Sequence, residues 1–199
     1  AKVLPTGYEV TSPAGTVGVT QTSSNSARWA RYANGTMRST SIGKEAIVLG
    51  SKRADGEQYL TVPEHRGVQT LKWNLNVGSL QPTLRSDGSV LISPRHVVSG
   101  FQILPLAIFD THGKNITPHG LHWGLENDHG SWSLTLDLND SKLPVPYVID
   151  PATEALRAAA SSNNGAGATT LVIPKPAGLV EDDLMIAQIT SRGGTGEFT

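Results

Sequence analysis

The sequence predicts an all-β fold: an antiparallel β-sandwich, Ig-like or jelly-roll-like, with a C-terminal β-rich extension. Three observations predict it. Strand-like runs recur roughly every 8–12 residues with turn chemistry between them. Gly (21) and Pro (12) are plentiful, which suits many short strands and turns better than a helical bundle. Several runs also alternate with a period of two, the mark of a strand with one buried and one wet face. The clearest opens the stretch Ser131–Pro151, where Trp132, Leu134, Leu136 and Leu138 alternate with Ser131, Ser133, Thr135 and Asp137. Those four apolar residues, together with Trp73, are the expected core.

Taken in order, residues 1–26 are rich in Gly, Thr and Ser and read as an N-terminal extension or edge strand, with weak alternation over Thr16–Thr20. Ala27–Tyr32 and Thr36–Thr40 flank Asn34–Gly35, a strong short hairpin signal because both residues tolerate positive φ. Ala46–Leu49 is a short apolar run, Ser51–Glu57 a polar loop, and Gln58–Val62 a strand. Over Val68–Leu75 the apolar face is Leu71, Trp73 and Leu75. Ser86-Asp87-Gly88 turns between Thr83–Arg85 and Ser89–Ile92. Phe101–Phe109 is a long apolar strand in which Pro105 implies an edge or a bulge. His112–Asn115 and Asp128–Gly130 are turns. After the strand at Trp132, Asn139–Lys142 breaks the pattern and Tyr147-Val148-Ile149 is a final short strand, so Ser131–Pro151 reads as the closing hairpin of the domain.

Beyond Pro151 the composition shifts. Ala152–Ala160 carries helix-favouring residues, Ser161–Ala168 is a flexible run, and Thr169–Ile173 and Leu184–Ile189 read as strands. The organisation expected is therefore an N-terminal extension over 1–26, a sandwich domain over 27–151, a linker or first strand over 152–168, and an incomplete β module over 169–199. Two or three strands do not form an independent core.

The totals limit the function. A formal net charge of -1, with Lys and Arg scattered singly, supplies no basic patch for nucleic acid. The chain has no cysteine, so thiolate metal sites and disulfides are excluded. No run approaches the ~20 apolar residues of a membrane span.

Leu71–Leu75, Leu80–Val90 and Trp132–Pro151, with its Leu143-Pro144-Val145-Pro146-Tyr147-Val148-Ile149-Asp150-Pro151 ending, resemble a module of large secreted bacterial surface proteins, Rhs-like or cell-wall-associated. Leu156–Gly165, Leu171–Pro174, Pro176–Gly178 and Asp183–Ala187 resemble the opening of a jelly-roll-like adhesin repeat. That resemblance implies that a strand begins near Glu154–Ala160, where composition favours helix. Strand is the reading taken, because propensity is a weak prior against tertiary context. Neither resemblance implies an enzymatic residue set.

Candidate chemistry is sparse. His112, His119, His122 and His129 crowd in sequence with Asp110 and Asp128. In an extended strand, however, His119 and His122 face opposite sides, which disfavours a shared metal. Asp137, Asn139, Asp140 and Ser141 supply oxygens at close spacing but lack the Gly and distal Glu of a calcium loop, so a polar turn is preferred. No metal and no cofactor are expected; His112, His119, His122, Asp137 and Asp140 are the nearest candidates. No Gly-x-Ser-x-Gly elbow frames a nucleophile, and no catalytic residue is assigned. Trp29, Trp73, Trp123 and Trp132 suit core packing better than a sugar-stacking platform. Three sequons, at Asn34, Asn115 and Asn139, fall on turns. A buried Lys72 would suit an isopeptide crosslink.

The function expected is a non-catalytic, extracellular or cell-surface structural protein that self-associates head to tail into a filament or surface layer. Leu171, Val172, Ile173, Leu184, Ile186 and Ile189 would complete a neighbour's sheet by strand addition. The alternative is a carbohydrate- or surface-binding module of a larger adhesin or enzyme, with a surface polysaccharide as partner.

Overall fold

The computed structural model describes residues 1–22, 29–32, 35–49, 56–94, 100–156, 162 and 170–175. The chain divides into two units, Ala1–Ala159 and Ala160–Thr199. The first is an all-β antiparallel sandwich, and no helix occurs among the described residues.

One sheet has six strands in the order β1-β2-β3-β8-β14-β13. They are β1 (Lys2–Leu4), β2 (Gly7–Ser12), β3 (Gly15–Gln21), β8 (Val68–Asn76), β13 (Gly124–Asp128) and β14 (Ser131–Asn139). The other sheet holds β4 (Ala30–Tyr32), β5 (Gly35–Ser39), β6 (Lys44–Leu49), β7 (Gly56–Val62), β9 (Gln81–Leu84), β10 (Val90–Ser93), β11 (Gly100–Ile103), β12 (Ala107–Phe109), β15 (Tyr147–Asp150) and β16 (Thr153–Leu156).

In the second sheet β15 and β16 face β7 in one unbroken register, from Tyr147 opposite Val62 to Thr153 opposite Gly56. They act as one strand interrupted at Pro151. On their far side, Ile103 opposes Thr153 and Ala107 opposes Asp150. One chain thus advances one residue more than the other between those pairs. That is the bulge expected at Pro105, which cannot donate to a ladder.

The period-two pattern explains the core. Leu71, Trp73 and Leu75 of β8 and Leu134, Leu136 and Leu138 of β14 are buried on the inner face. Trp132, at the end of β14, is only partly buried. Facing them are Ile47, Leu60, Val62, Val90, Ile92, Phe101, Ile103, Ile108, Tyr147 and Ile149. Two contacts tie the layers. Trp73 and Trp123 meet edge to face at 5.5 Å, and the Trp123 indole N–H donates to the Leu104 carbonyl at 2.9 Å. Tyr8 shares a 2.7 Å hydrogen bond with the Thr153 hydroxyl. Gly56 is small because the Tyr8 ring lies on it: a Cβ there would come within 2.6 Å of the ring.

Several expectations change. Residues 1–26 are not an appendage, since β3 lies inside its sheet between β2 and β8. Ser131–Pro151 is not a hairpin: β14 pairs with β8 and β13, whereas β15 pairs with β7 and β12, so the turn after Asn139 crosses between sheets. The first unit does not close at Pro151, because β16 pairs with β11. The strand taken near Glu154 exists, as part of the first unit. Gly35 opens β5 and pairs with Tyr32, and Asn34 of the expected hairpin turn lies outside the described residues. At the other hairpin, His129 (φ 49) and Gly130 (φ 91) form the two-residue turn between β13 and β14.

Candidate functional site

The histidines do not converge. His112, His119, His122 and His129 are all exposed. His112 lies 3.9 Å from Asp110, His129 bonds Asp128 at 2.6 Å, and His122 meets the carbonyl of its neighbour Trp123. Among the described residues no group of three or more His, Asp or Glu is placed to hold a metal.

The acidic turn after β14 is spoken for as well. Asp137 accepts the Thr70 hydroxyl at 2.6 Å. Asp140 is fully buried and accepts the Gly67 N–H (2.7 Å), the Arg66 N–H (2.8 Å) and the Tyr147 hydroxyl (2.9 Å). Burial alone would raise its pKa; those donors outweigh burial and hold the carboxyl below its usual range. Asp140 is an anchor for the Pro63–Gly67 loop and the turn that changes sheets.

A second polar knot lies at the other side of the sandwich, and the sequence reading missed it. Arg38 of β5 and Glu45 of β6 are directly opposite and form an ion pair of 2.6 Å, both side chains fully buried. Gln58 of β7 donates to the other Glu45 oxygen. Arg38 also donates to the Pro5 carbonyl (2.7 Å) and stacks 4.3 Å over Trp29, whose own N–H holds the Leu4 carbonyl (2.8 Å). Burial pushes the Glu45 carboxyl upward despite Arg38. The signal was present: Glu45 stands two residues before Ile47 and Gln58 two before Leu60, on the inward face of each strand.

A third group sits on the outer face of the second sheet. Tyr59 donates to Glu57 at 2.6 Å. By the β7–β15 register, Asp150 lies beside Tyr59. Burial, with Glu57 nearby, pushes Asp150 up to about 6. The tyrosine holds Glu57 alone, while Asp150 Oδ1 is buried with no hydrogen-bond partner among the described residues.

The aromatic and lysine expectations resolve plainly. Trp73 and Trp123 are core residues, and Trp29 is committed to Arg38 and Leu4. Lys72 is not buried: it pairs with Glu126 at 3.0 Å with 41% of its side chain exposed, so it lacks the sequestered setting an isopeptide needs. Lys72 opposes Thr135 and Glu126 opposes Ser133, so this ion pair crosses over β14.

The residues expected to drive assembly divide in two. Leu184, Ile186 and Ile189 lie outside the described residues. Leu171, Val172 and Ile173 are 36%, 80% and 39% exposed. The strand expected over Thr169–Ile173 is absent from its described part: residues 170–173 belong to no ladder.

The edges at β1, β4, β9 and β13 are blunted. β1 and β4 have 3 residues each. β13 carries exposed Glu126 and Asp128. In β9, the bond from Arg85 N–H to the Ser89 carbonyl (2.8 Å) fixes the alternation, so Pro82 points its missing N–H to the open side. Comparison with protein families, characterised proteins and solved structures finds no match.

Proposed function

We propose that this chain is a non-catalytic structural protein of the cell exterior that associates head to tail with copies of itself. The observation that carries the reading is Leu171-Val172-Ile173: three consecutive strand-forming apolar residues, exposed and outside any ladder. Such a segment in water is a liability unless a partner takes it up, and strand addition supplies both backbone and side-chain partners. A contact between two different surfaces of identical chains is heterologous, and it propagates into an open filament when its rotation does not close a ring. The resemblance to secreted surface modules supports the exterior setting.

The test is sedimentation and negative-stain microscopy of the full chain against a variant carrying Leu171→Ser, Val172→Ser and Ile173→Ser. Concentration-dependent filaments or oligomers are expected from the natural chain and only monomers from the variant. A monomeric natural chain at all concentrations overturns the reading. Deletion from Ala152 is the wrong control, because it removes β16 from the first unit's sheet.

A further inference from the structure

The six-stranded sheet has one run of ladder left open between described residues, and its position follows from alternation. Thr22 N–H bonds the Lys72 carbonyl at 3.0 Å, so even-numbered residues of β8 turn their backbone toward β3 and odd-numbered ones toward β14. Leu71 and Gln69 oppose Leu136 and Leu138. Even-numbered residues of β14 therefore face β8, and odd-numbered ones face β13. The two-residue turn at His129–Gly130 requires the same parity, since it closes on the Asp128–Ser131 pair.

β13, however, stops at Gly124 opposite Thr135. The preceding residue, Trp123, is buried and bonded to Leu104 of the other sheet, which pulls the chain away. From Leu136 to Asn139, β14 is thus itself the sheet's edge. The N–H and C=O groups of Asp137 and Asn139 point outward with no strand of the described residues beside them. Unlike β9, this run has no proline, and unlike β1 and β4 it belongs to a long strand, of 9 residues, anchored on β8.

On the reading that the chain self-associates, we infer that Leu136–Asn139 is the acceptor edge and that Leu171-Val172-Ile173 of a second copy is the strand it accepts. The lengths match: the donor is cut off by Pro174, which cannot extend a ladder inward, and the acceptor is cut off by β13. The pattern matches. With Val172 opposite Asp137 on the polar face, Leu171 and Ile173 fall level with Leu138 and Leu136 above the core rim.

Because the chain has no cysteine, crosslinking tests this without background. Asp137→Cys chains are mixed with Val172→Cys chains and treated with a short bismaleimide. Lys2→Cys, on the opposite edge of the same sheet, is the control acceptor. A covalent dimer is expected from the first mixture at about tenfold the control yield, as two thiols held at millimolar effective concentration should give. Asn139→Cys repeats the test should Asp137→Cys fail to fold. Assembly by sedimentation with equal yields at the two edges overturns the acceptor edge and leaves self-association standing. Crosslinking only within single chains of the double variant Asp137→Cys/Val172→Cys overturns the second copy as donor. Absence of assembly from the uncrosslinked natural chain overturns the self-association reading itself.

Discussion

Two buried carboxylates, Asp140 and Glu45, hold the two sides of the sandwich, and they do so in opposite ways. Asp140 takes its hydrogen bonds from backbone N–H groups and a tyrosine, all neutral donors already fixed by the fold. Its charge is therefore favoured, and its pKa lies low. Glu45 is matched with a guanidinium that must itself be stripped of water, and its own burial keeps its pKa high although Arg38 draws it down. Preformed dipoles stabilise a buried charge without burying a second one; a countercharge adds its own desolvation penalty. The first device is a stability element. The second ties Leu4 and Pro5 to β5 and β6.

The comparison breaks most visibly at Arg38. Arg38→Met alone leaves Glu45 buried and unpaired, and should cost about 3–5 kcal/mol in urea denaturation. Adding Glu45→Leu should return stability to within about 1–2 kcal/mol of the natural protein, because an apolar pair of similar volume replaces the ion pair. A double variant as unstable as the single one would show that the pair itself stabilises the fold.

At Asp140 no such rescue is available. Asp140→Ala orphans two half-buried N–H groups and a buried hydroxyl, and about 3 kcal/mol should be lost. Tyr147→Phe removes one donor and should cost about 1 kcal/mol. Equal losses for the two variants would mean that the tyrosine, rather than the loop N–H groups, carries the anchor.

The contrast also explains what was legible in the sequence. Alternation is local, so Leu71, Trp73 and Leu75, and Leu134, Leu136 and Leu138, were readable as core. The bulge at Pro105 was readable from the absent N–H. Sheet membership is not local. Nothing in Ser131–Pro151 says that β14 and β15 enter different sheets, because that is decided by β8 and β7, far back in the chain. Asp140 looked like a turn residue because two of its donors stand 74 and 73 positions away. Arg38 and Glu45 drew no notice because a charged residue reads as exposed unless its period is followed through. The acceptor edge at Leu136–Asn139 required the full ladder, since it is defined by where β13 stops.

The smallest effect, and the one that separates the third carboxylate from the other two, is at Asp150. Its pKa of about 6 lies above the ordinary value near 3.9, so the folded chain keeps a proton that the unfolded chain has released across that interval. Stability should fall as pH rises from about 4 to about 6 and level off above it. The side chain is only partly buried, so screening limits the loss to about 1 kcal/mol. Asp150→Asn should abolish that fall when urea midpoints are compared at about pH 4.5 and about pH 7.5. Asp140 drives the opposite trend, its contribution fading as pH drops, but it does so equally in both proteins and cancels in the difference. Glu45 shifts in the same direction as Asp150 and is likewise common to both. If Asp150→Asn kept the full slope, the proton taken up in that interval would belong to Glu45, and the Arg38 pair rather than the open sheet face would be the protein's acid-responsive element.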